Sequence, residues 1–340
     1  MAELDRIVAD AVPIKLRGLL QCPRCATSLE SLHCSNPRCV YAGGFLSVRG
    51  QPVLIDFDDS IFDRSDYEDG RGYAEGRRIS DSVGARMQRL LYGENKVNQA
   101  CSARFLNEVC AADTAGADVN RARPRVLVIG GGTIGSGAAA LYADERIELI
   151  GSDVYVSPHT DLALDGHRLP FRDASLDGVW IQAVLEHVLE PARVAAEIHR
   201  VLKPAGVVFA GTPFMQQVHE AAYDFTRFTL SGHRWLFRRF SQIDAGTSAG
   251  AGTAAIWSVR YLLRALGWPR PLISAANLML FPLRYADNTA SRRLQADAAS
   301  GVYFIGRKSE APLGPKDMPA YYESQDAVRP TAAASPSNSR

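Results

Sequence analysis

No run of uncharged apolar residues in this 340-residue chain reaches the ~18 that a membrane-spanning helix requires. Neither sign of charge dominates. Thirty-eight lysines and arginines face 37 aspartates and glutamates, a net +1, so no global field draws the chain to nucleic acid or an anionic membrane. Cysteine is scarce, six in all, and four crowd between residues 22 and 39, which does not suit a secreted disulfide scaffold. The stretch MAELDRIVADAV carries acids and lacks a basic flank and an apolar core, so no secretory leader is read there. The expected compartment is a reducing cytoplasm. What is present is ordinary for a globular protein with a sizeable core: 46% hydrophobic and 22% charged residues.

The chain is organised around RVLVIGGGTIGSG, Arg125 to Gly137. Val126, Leu127, Val128 and Ile129 form an unbroken apolar run, as in a strand buried on both faces of a parallel sheet. Gly130, Gly131, Gly132 and Gly135 follow, letting the backbone turn sharply and approach a ligand, with free amides at the start of a following helix. The pattern fits a dinucleotide site, another nucleoside-bearing cofactor, or a close strand–helix contact with no ligand. A second apolar strand, IELIGSDVY, ends in Asp153, whose carboxylate is placed to accept bonds from two ribose hydroxyls. That serves any adenosine-bearing cofactor.

The second strong signal is Cys22-Pro-Arg-Cys25, then eight residues, then Cys34-Ser-Asn-Pro-Arg-Cys39. Two cysteine pairs on tight turns match how thiolates hold tetrahedral zinc. His33 could replace one ligand, but its neighbour Cys34 is the better choice. Such a closed site would fold a segment too small for a core of its own. Residues 58–120 read as two or three helices joined by polar turns, with helical spacing of Met87, Leu90 and Leu91, then Phe105, Leu106 and Val109. Cys101 and Cys110 read as small buried side chains.

Two family resemblances rest on these residues. LLQCPRC, LHCSNPRC and the ending G-x-P-V-L-I over residues 16–57 resemble the small zinc ribbon of the Trm112-like family, which sits beside or is fused to methyltransferases; the four-residue second spacer departs from its common pattern. From Leu162 to Phe214 the chain resembles the class I S-adenosylmethionine-dependent methyltransferases of the type 11 group. The blocks are Asp165-Gly166 before L-P-F, D-x-x-S-L-D-G-V-W, V-L-E-H-V and E-I-H-R-V-L-K-P-A-G. One departure is Val128, where many members carry an acid.

The resemblance implies an α/β fold: a Rossmann-like, seven-stranded methyltransferase sheet with helices on both faces, preceded by a small β-rich zinc ribbon. It implies S-adenosylmethionine as cofactor, with zinc as a structural ion. It implies Asp165 and Gly166 at the adenine edge. Gln182 closes the fourth strand, and Glu186 and His187 follow where the carboxyl ends of the strands form the ligand crevice. H-E-x-x-Y-D-F-x-R-F-T resembles a block of bacterial methyltransferases, several linked to surface-polysaccharide or lipid-linked sugar pathways. It supplies His219 as first choice for a base, with Tyr223 and Asp224 behind it and His187 as a further candidate. The bland alternative is a polar connector in which Arg227 pairs with Asp224.

The expected division is a ribbon at 1–57, a helical connector at 58–120, a methyltransferase domain at 121–310 and a disordered tail at 311–340. The domain carries a helical insertion at 253–300. Apolar helices with Arg260, Arg264 and Arg284 across 253–285 suit a lid, a subunit contact, or peripheral contact with a membrane or lipid-linked acceptor. The expected acceptor is a small molecule or glycan. RNA methylation and a non-catalytic cofactor-binding scaffold stand as alternatives, and RNA is disfavoured by the sparse basic runs. An NAD-dependent oxidoreductase leaves V-L-E-H and L-K-P-A-G unexplained.

Overall fold

Unbroken apolar stretches of the sequence become strands of one sheet. The computed structural model describes residues 12–72, 95–114, 123–288 and 292–325. In chain order the strands are β1 (Leu46–Val48), β2 (Gln51–Leu54), β3 (Arg125–Ile129), β4 (Glu148–Asp153) and β5 (Leu162–Leu164). They continue with β6 (Leu176–Gln182), β7 (Leu202–Pro213), β8 (Phe240–Ala249) and β9 (Gly301–Lys308). Their spatial order is β1-β2-β5-β4-β3-β6-β7-β9-β8. The five strands from β5 to β7 run parallel, and β9 runs antiparallel between β7 and β8. Val126, Leu127, Val128 and Ile129 are all buried, as strands covered on both faces require. The order reverses at β3, so a crevice opens beyond the carboxyl ends of β3 and β6.

Seven of the strands make the expected methyltransferase sheet. The ribbon hairpin, β1 and β2, adds two more at its edge: β2 pairs parallel to β5 with Val53 opposite Ala163 and Leu54 opposite Leu164. The Gln21 amide donates to the Pro170 carbonyl at 3.0 Å and the Arg172 amide to the Leu19 carbonyl at 2.8 Å. One hydrophobic core runs from Leu20, Leu29, Tyr41 and Phe45 into Leu162, Leu164 and Phe171. The boundary at residue 57 is therefore no break in packing.

Helix Lys96–Thr114 seats Phe105 and Val109 against β6, where a side chain at Gly178 would lie 2.9 Å from the Phe105 ring. Helix Arg64–Glu68 is the other helix of the connector among the described residues, and Met87, Leu90 and Leu91 lie outside them. A helix spans Leu230–Leu236, started by the Thr229 hydroxyl, which accepts from the Gly232 amide at 3.0 Å. The Pro204-Ala205-Gly206 turn falls inside β7, with Ala205 at φ 64°. The tail, expected to be disordered from 311, forms helix Met318–Ser324, whose Tyr322 hydroxyl reaches Asp297 at 2.9 Å; residues 326–340 lie outside the described residues.

Beyond β8 the chain forms helices Ala251–Ala265 and Arg270–Leu280, a 3-10 stretch Phe281–Asn288 and helix Arg292–Asp297. Asp287 holds the start of the first, accepting from the Gly252 amide at 2.7 Å and the Thr253 hydroxyl at 2.8 Å. The Tyr261 hydroxyl donates to the Val218 carbonyl at 2.9 Å, tying the insertion to the loop that follows β7.

Candidate active site

After Ile129 the chain turns at Gly130, whose φ of 80° disfavours other residues and where a Cβ would strike Val184 at 2.2 Å. The Gly131 amide donates to the Ser152 carbonyl at 2.7 Å, and the Gly132 amide to Asp153 Oδ2 at 2.8 Å. A Cβ on Gly132 would sit 2.7 Å from that oxygen, and one on Gly135 would sit 2.7 Å from Gln182 Oε1. Gln182 accepts from Trp180 Nε1 at 3.3 Å and donates to the Ser136 carbonyl at 3.2 Å. Asp153 keeps Oδ1 with only a 3.4 Å approach from the Tyr155 amide. Burial pushes its carboxyl above the usual carboxylate range, while the Gly132 amide pulls it down.

The helix expected after the glycines is present but short. Turns lead to the short helix Ala139–Ala143, and the loop is clamped from outside. The Asn95 amide donates to Ser136 Oγ at 3.0 Å, and Asn98 Nδ2 donates to the Ser136 carbonyl at 3.1 Å. Sequence reading missed this clamp. Its signal was Asn95, whose Oδ1 accepts from the Val97 and Asn98 amides at the start of helix Lys96–Thr114.

Asp165 is 6% exposed and already engaged on both oxygens. Oδ2 accepts from the Ser60 hydroxyl at 2.6 Å, and Oδ1 faces His167 Nδ1 at 2.6 Å. His167 Nε2 accepts from the Glu190 amide at 3.1 Å, so the ring's proton lies on Nδ1, toward Asp165. Burial raises the Asp165 carboxyl, but the bonds from His167 and Ser60 outweigh it and the net shift is downward. Gly166 leaves ordinary contact with Val194 at 3.4 Å. This pair braces the β5 end against the connector and the helix Pro191–Val201 rather than presenting a free carboxylate.

Glu186 and His187 lie on the 3-10 turn Leu185–His187 after β6, and His219 lies on the loop after β7. The structure brings them together. One ligand-capable atom from each lies within 4.8 Å of the others, and the two imidazole rings stand 5.0 Å apart, edge to face. Glu186 is 1% exposed, with no hydrogen bond to either carboxyl oxygen among the described residues; burial pushes its pKa up to about 8. His187 Nδ1 donates to the Tyr223 carbonyl at 2.7 Å, which turns Nε2 toward Glu186 Oε1, 3.7 Å away. His219 Nδ1 lies 3.3 Å from both the Gln217 carbonyl and Asp224 Oδ2.

The other two candidates for a base are placed differently. Asp224 is clasped by Arg227, whose guanidinium holds the carboxyl near a pKa of about 2, and its side chain is 1% exposed. It therefore supports His219 rather than acting as a free base. Arg227 also donates to the Gln216 carbonyl at 2.9 Å, so the bland pairing read from the sequence is present. Tyr223 is half-exposed and stacks on Phe62, 6.1 Å between centroids.

A cleft of about 1150 Å³ opens beside this cluster, bounded by Gln182 at the end of β6, Glu186 after it, Thr212 on β7, His219 and the insertion. Among the described residues, Arg260, Arg264, Arg270 and Arg284 line it against one carboxylate, Glu186. Arg260 and Arg264 lie over the Trp257 and Tyr261 rings at 5.1 and 4.9 Å. Gly130–Gly132, Asp153 and Asp165 do not line this cleft; the glycine loop meets it through Ser136, beside Gln182 at the end of β6.

The four N-terminal cysteines converge as their spacing implied. Cys22 and Cys39 sulfurs are 3.7 Å apart and Cys25 and Cys34 sulfurs 3.4 Å, all four within 4.8 Å and none in a disulfide. A tetrahedron with Zn–S bonds of about 2.3 Å has edges of about 3.8 Å, so the set could hold such an ion.

Residues 134–210 match the family described as a methyltransferase domain. A segment of 49 residues is 45% identical to an uncharacterized 37.1 kDa protein in transposon TN4556 of Streptomyces fradiae, covering 14% of this chain and 14% of that protein. Among solved structures, a complex of the Trm112 methyltransferase activator and a methyltransferase from Haloferax volcanii is similar at 20% identity. It covers 63% of this chain and 97% of the other, with a TM-score of 0.37. Phosphoethanolamine N-methyltransferase 2 of Haemonchus contortus with S-adenosyl-L-methionine is similar at 15% identity, with 71% and 61% covered and a TM-score of 0.40. Among the described residues no helix is long and apolar enough to cross a membrane. The chain carries an S-adenosylmethionine-dependent methyltransferase domain of the type 11 group on a Rossmann-like sheet, behind a cysteine cluster that resembles a zinc ribbon.

Proposed function

We propose that this protein methylates a hydroxyl of a phosphorylated glycan carried on a lipid, and that the four cysteines hold a structural zinc. The observation that carries the acceptor class is the charge of the cleft, four arginines against one carboxylate, which suits a phosphate or diphosphate more than a neutral sugar. Favouring a lipid-linked form, the insertion that supplies those arginines turns an apolar set outward. Leu262, Leu266, Trp268, Leu272 and Met279 are all exposed, Met279 by 81%. On helix Ala251–Ala265 the spacing puts Trp257, Arg260 and Arg264 on the cleft side and Leu262, with Leu266 just past the helix end, on the other.

S-adenosylmethionine supplies a methyl group on a sulfonium. Asp153 would hold its ribose, and Gly130, Gly131, Gly132 and Gly135, with Gln182, would form the cradle. The fit rests on two observations: Asp153 keeps capacity on Oδ1, and side chains at Gly132 or Gly135 would fill the space beside Asp153 and Gln182. The protein's part is to hold the acceptor in line with the methyl group and exclude water. Four thiolates leave no open position, so the zinc would fold the ribbon and take no part in the reaction.

RNA is disfavoured by the way the basic side chains near the ribbon are spent. Lys15 pairs with Asp161 at 2.5 Å, Arg24 with Asp56 at 3.3 Å and Arg172 with Glu30 at 2.8 Å. The test offers methyl-labelled cofactor with polyisoprenoid-diphosphate glycans, nucleotide sugars or RNA. Label is expected in the lipid-linked glycans, and Arg260→Ala should raise KM about tenfold while leaving kcat within a factor of about two. Label in RNA, or transfer indifferent to Arg260→Ala, would overturn the acceptor class. Cofactor binding without transfer to any acceptor would favour a scaffold.

A further inference from the structure

We propose that Glu186, His187 and His219 form a divalent-metal site opening into the acceptor cleft. Three donors separated by up to 33 positions in sequence converge within 4.8 Å. Both imidazoles are prepared in the manner of metal-bound histidines. His187 Nδ1 is engaged by the Tyr223 carbonyl, and His219 Nδ1 faces the Gln217 carbonyl and Asp224, so each ring can offer Nε2. Asp224 is in turn fixed by Arg227, so the support extends two side chains behind the cluster.

The second, independent observation is the Glu186 side chain. It is 1% exposed, and neither oxygen accepts a hydrogen bond among the described residues. Burying a carboxyl without partners is costly, and a cation between it and two imidazoles removes the cost. The segments are already locked together, since the Phe225 and Thr226 amides donate to the Glu186 carbonyl at 2.8 and 3.3 Å. The pocket therefore exists before any ion arrives. One carboxylate and two imidazoles suit a borderline divalent transition metal and leave coordination positions open. Glu186 and His219 line the cleft, so an acceptor oxygen can reach those positions.

An acceptor hydroxyl held by the ion loses its proton more readily, and the proton leaves to water in the open cleft. That oxygen then bonds the methyl carbon as the carbon–sulfur bond breaks, and the bonding pair stays on sulfur. This role rests on the methyl-transfer reading; the binding of metal does not.

The test uses the full chain holding one zinc per molecule after dialysis against a mild chelator, titrated with cobalt(II). The wild type is expected to take up one cobalt with the weak visible bands of a nitrogen–oxygen site and no thiolate-to-metal charge-transfer band. Glu186→Gln and His219→Ala should each weaken that uptake at least tenfold. Retained zinc and an unchanged unfolding midpoint show that a variant has folded, and His187→Ala stands in for either one that has not. No cobalt beyond the cysteine cluster, or equal uptake by folded variants, would overturn the site. Cobalt uptake lost in the variants, with no methyl transfer to any acceptor, would sink the methyl-transfer reading and leave the metal site standing.

Discussion

The molecule contains two clusters of metal-competent side chains, and they were built in opposite ways. In the ribbon, four sulfurs meet within 18 residues of chain, all positions of a tetrahedron are taken, and the surrounding strands are only three and four residues long. In the cleft, three donors arrive from two crossovers of a large sheet and leave one side open. Holding zinc, the first cluster would make local structure where a short segment could not make its own. The second is made by structure that stands without it. A closed site suits folding, and an open one suits ligands.

Breaking the ribbon cluster should have the largest effect. Cys22→Ser or Cys34→Ser removes a thiolate from a site of the kind that contributes about 10 kcal/mol of folding energy in small zinc domains. Zinc content should fall, and proteolysis should cut first between residues 20 and 57. A variant that loses zinc and still resists protease would mean the ribbon folds on the sheet edge alone.

Acid should separate the core from both clusters. His233 is 1% exposed between Phe228 and Phe237, with neither ring nitrogen hydrogen-bonded among the described residues, and burial pushes its pKa down to about 3. The unfolded chain takes up that proton near pH 6.5, while the folded one resists until about pH 3. Stability is therefore complete above the unfolded value and is lost as pH falls between the two. At pH 4.5 this costs about 2–3 kcal/mol. Denaturant unfolding of His233→Leu should show that part of the acid sensitivity gone. Parallel pH profiles for the two proteins would refute the assignment.

Asp153→Ala should weaken S-adenosylmethionine binding by about 1–3 kcal/mol in a calorimetric titration, while leaving zinc content untouched. Unchanged affinity would move the ribose away from the end of β4.

The smallest expected effect lies at the joint between the two regions. Asp59 accepts from Arg193 and from Arg168 Nε, the latter at 2.6 Å, and these guanidiniums hold its pKa near 2. Its stabilisation is present above the ordinary carboxylate range and is lost as pH falls from about 4 to 2. Since a third of the side chain is exposed, Asp59→Asn should cost only about 1 kcal/mol at neutral pH and nothing near pH 2. A neutral-pH cost equal to that at pH 2 would mean the ion pairs do not join the regions.

What was legible along the chain was short in range. The strand β3, the glycine turn, Asp153 and the four cysteines could be read because each is encoded within a few neighbouring residues whose apolar run, turn chemistry or ligand spacing has few other uses. The apolar helices of the insertion with their interspersed Arg260 and Arg264 were legible for the same reason, while the outward face formed by Leu262 and Leu266 was not read. Asp165 was read as a cofactor contact from its block, but its oxygens are taken by Ser60 and His167, and Ser60 lies 105 positions away. Asp224 was named as a base, and Arg227, three residues on, holds it as a support instead.

By itself the sequence determined the parallel sheet, the cluster of four cysteines and the family of the domain between residues 134 and 210, because hydrophobic period and local spacing act through neighbouring residues. Only the tertiary structure decided that the ribbon hairpin extends the sheet beside β5, that Asn95 and Asn98 clamp the glycine loop, and that Glu186 meets His219. Those outcomes depend on which strand lies beside which. Strand order is settled by the burial of whole faces, which no short stretch of chain specifies.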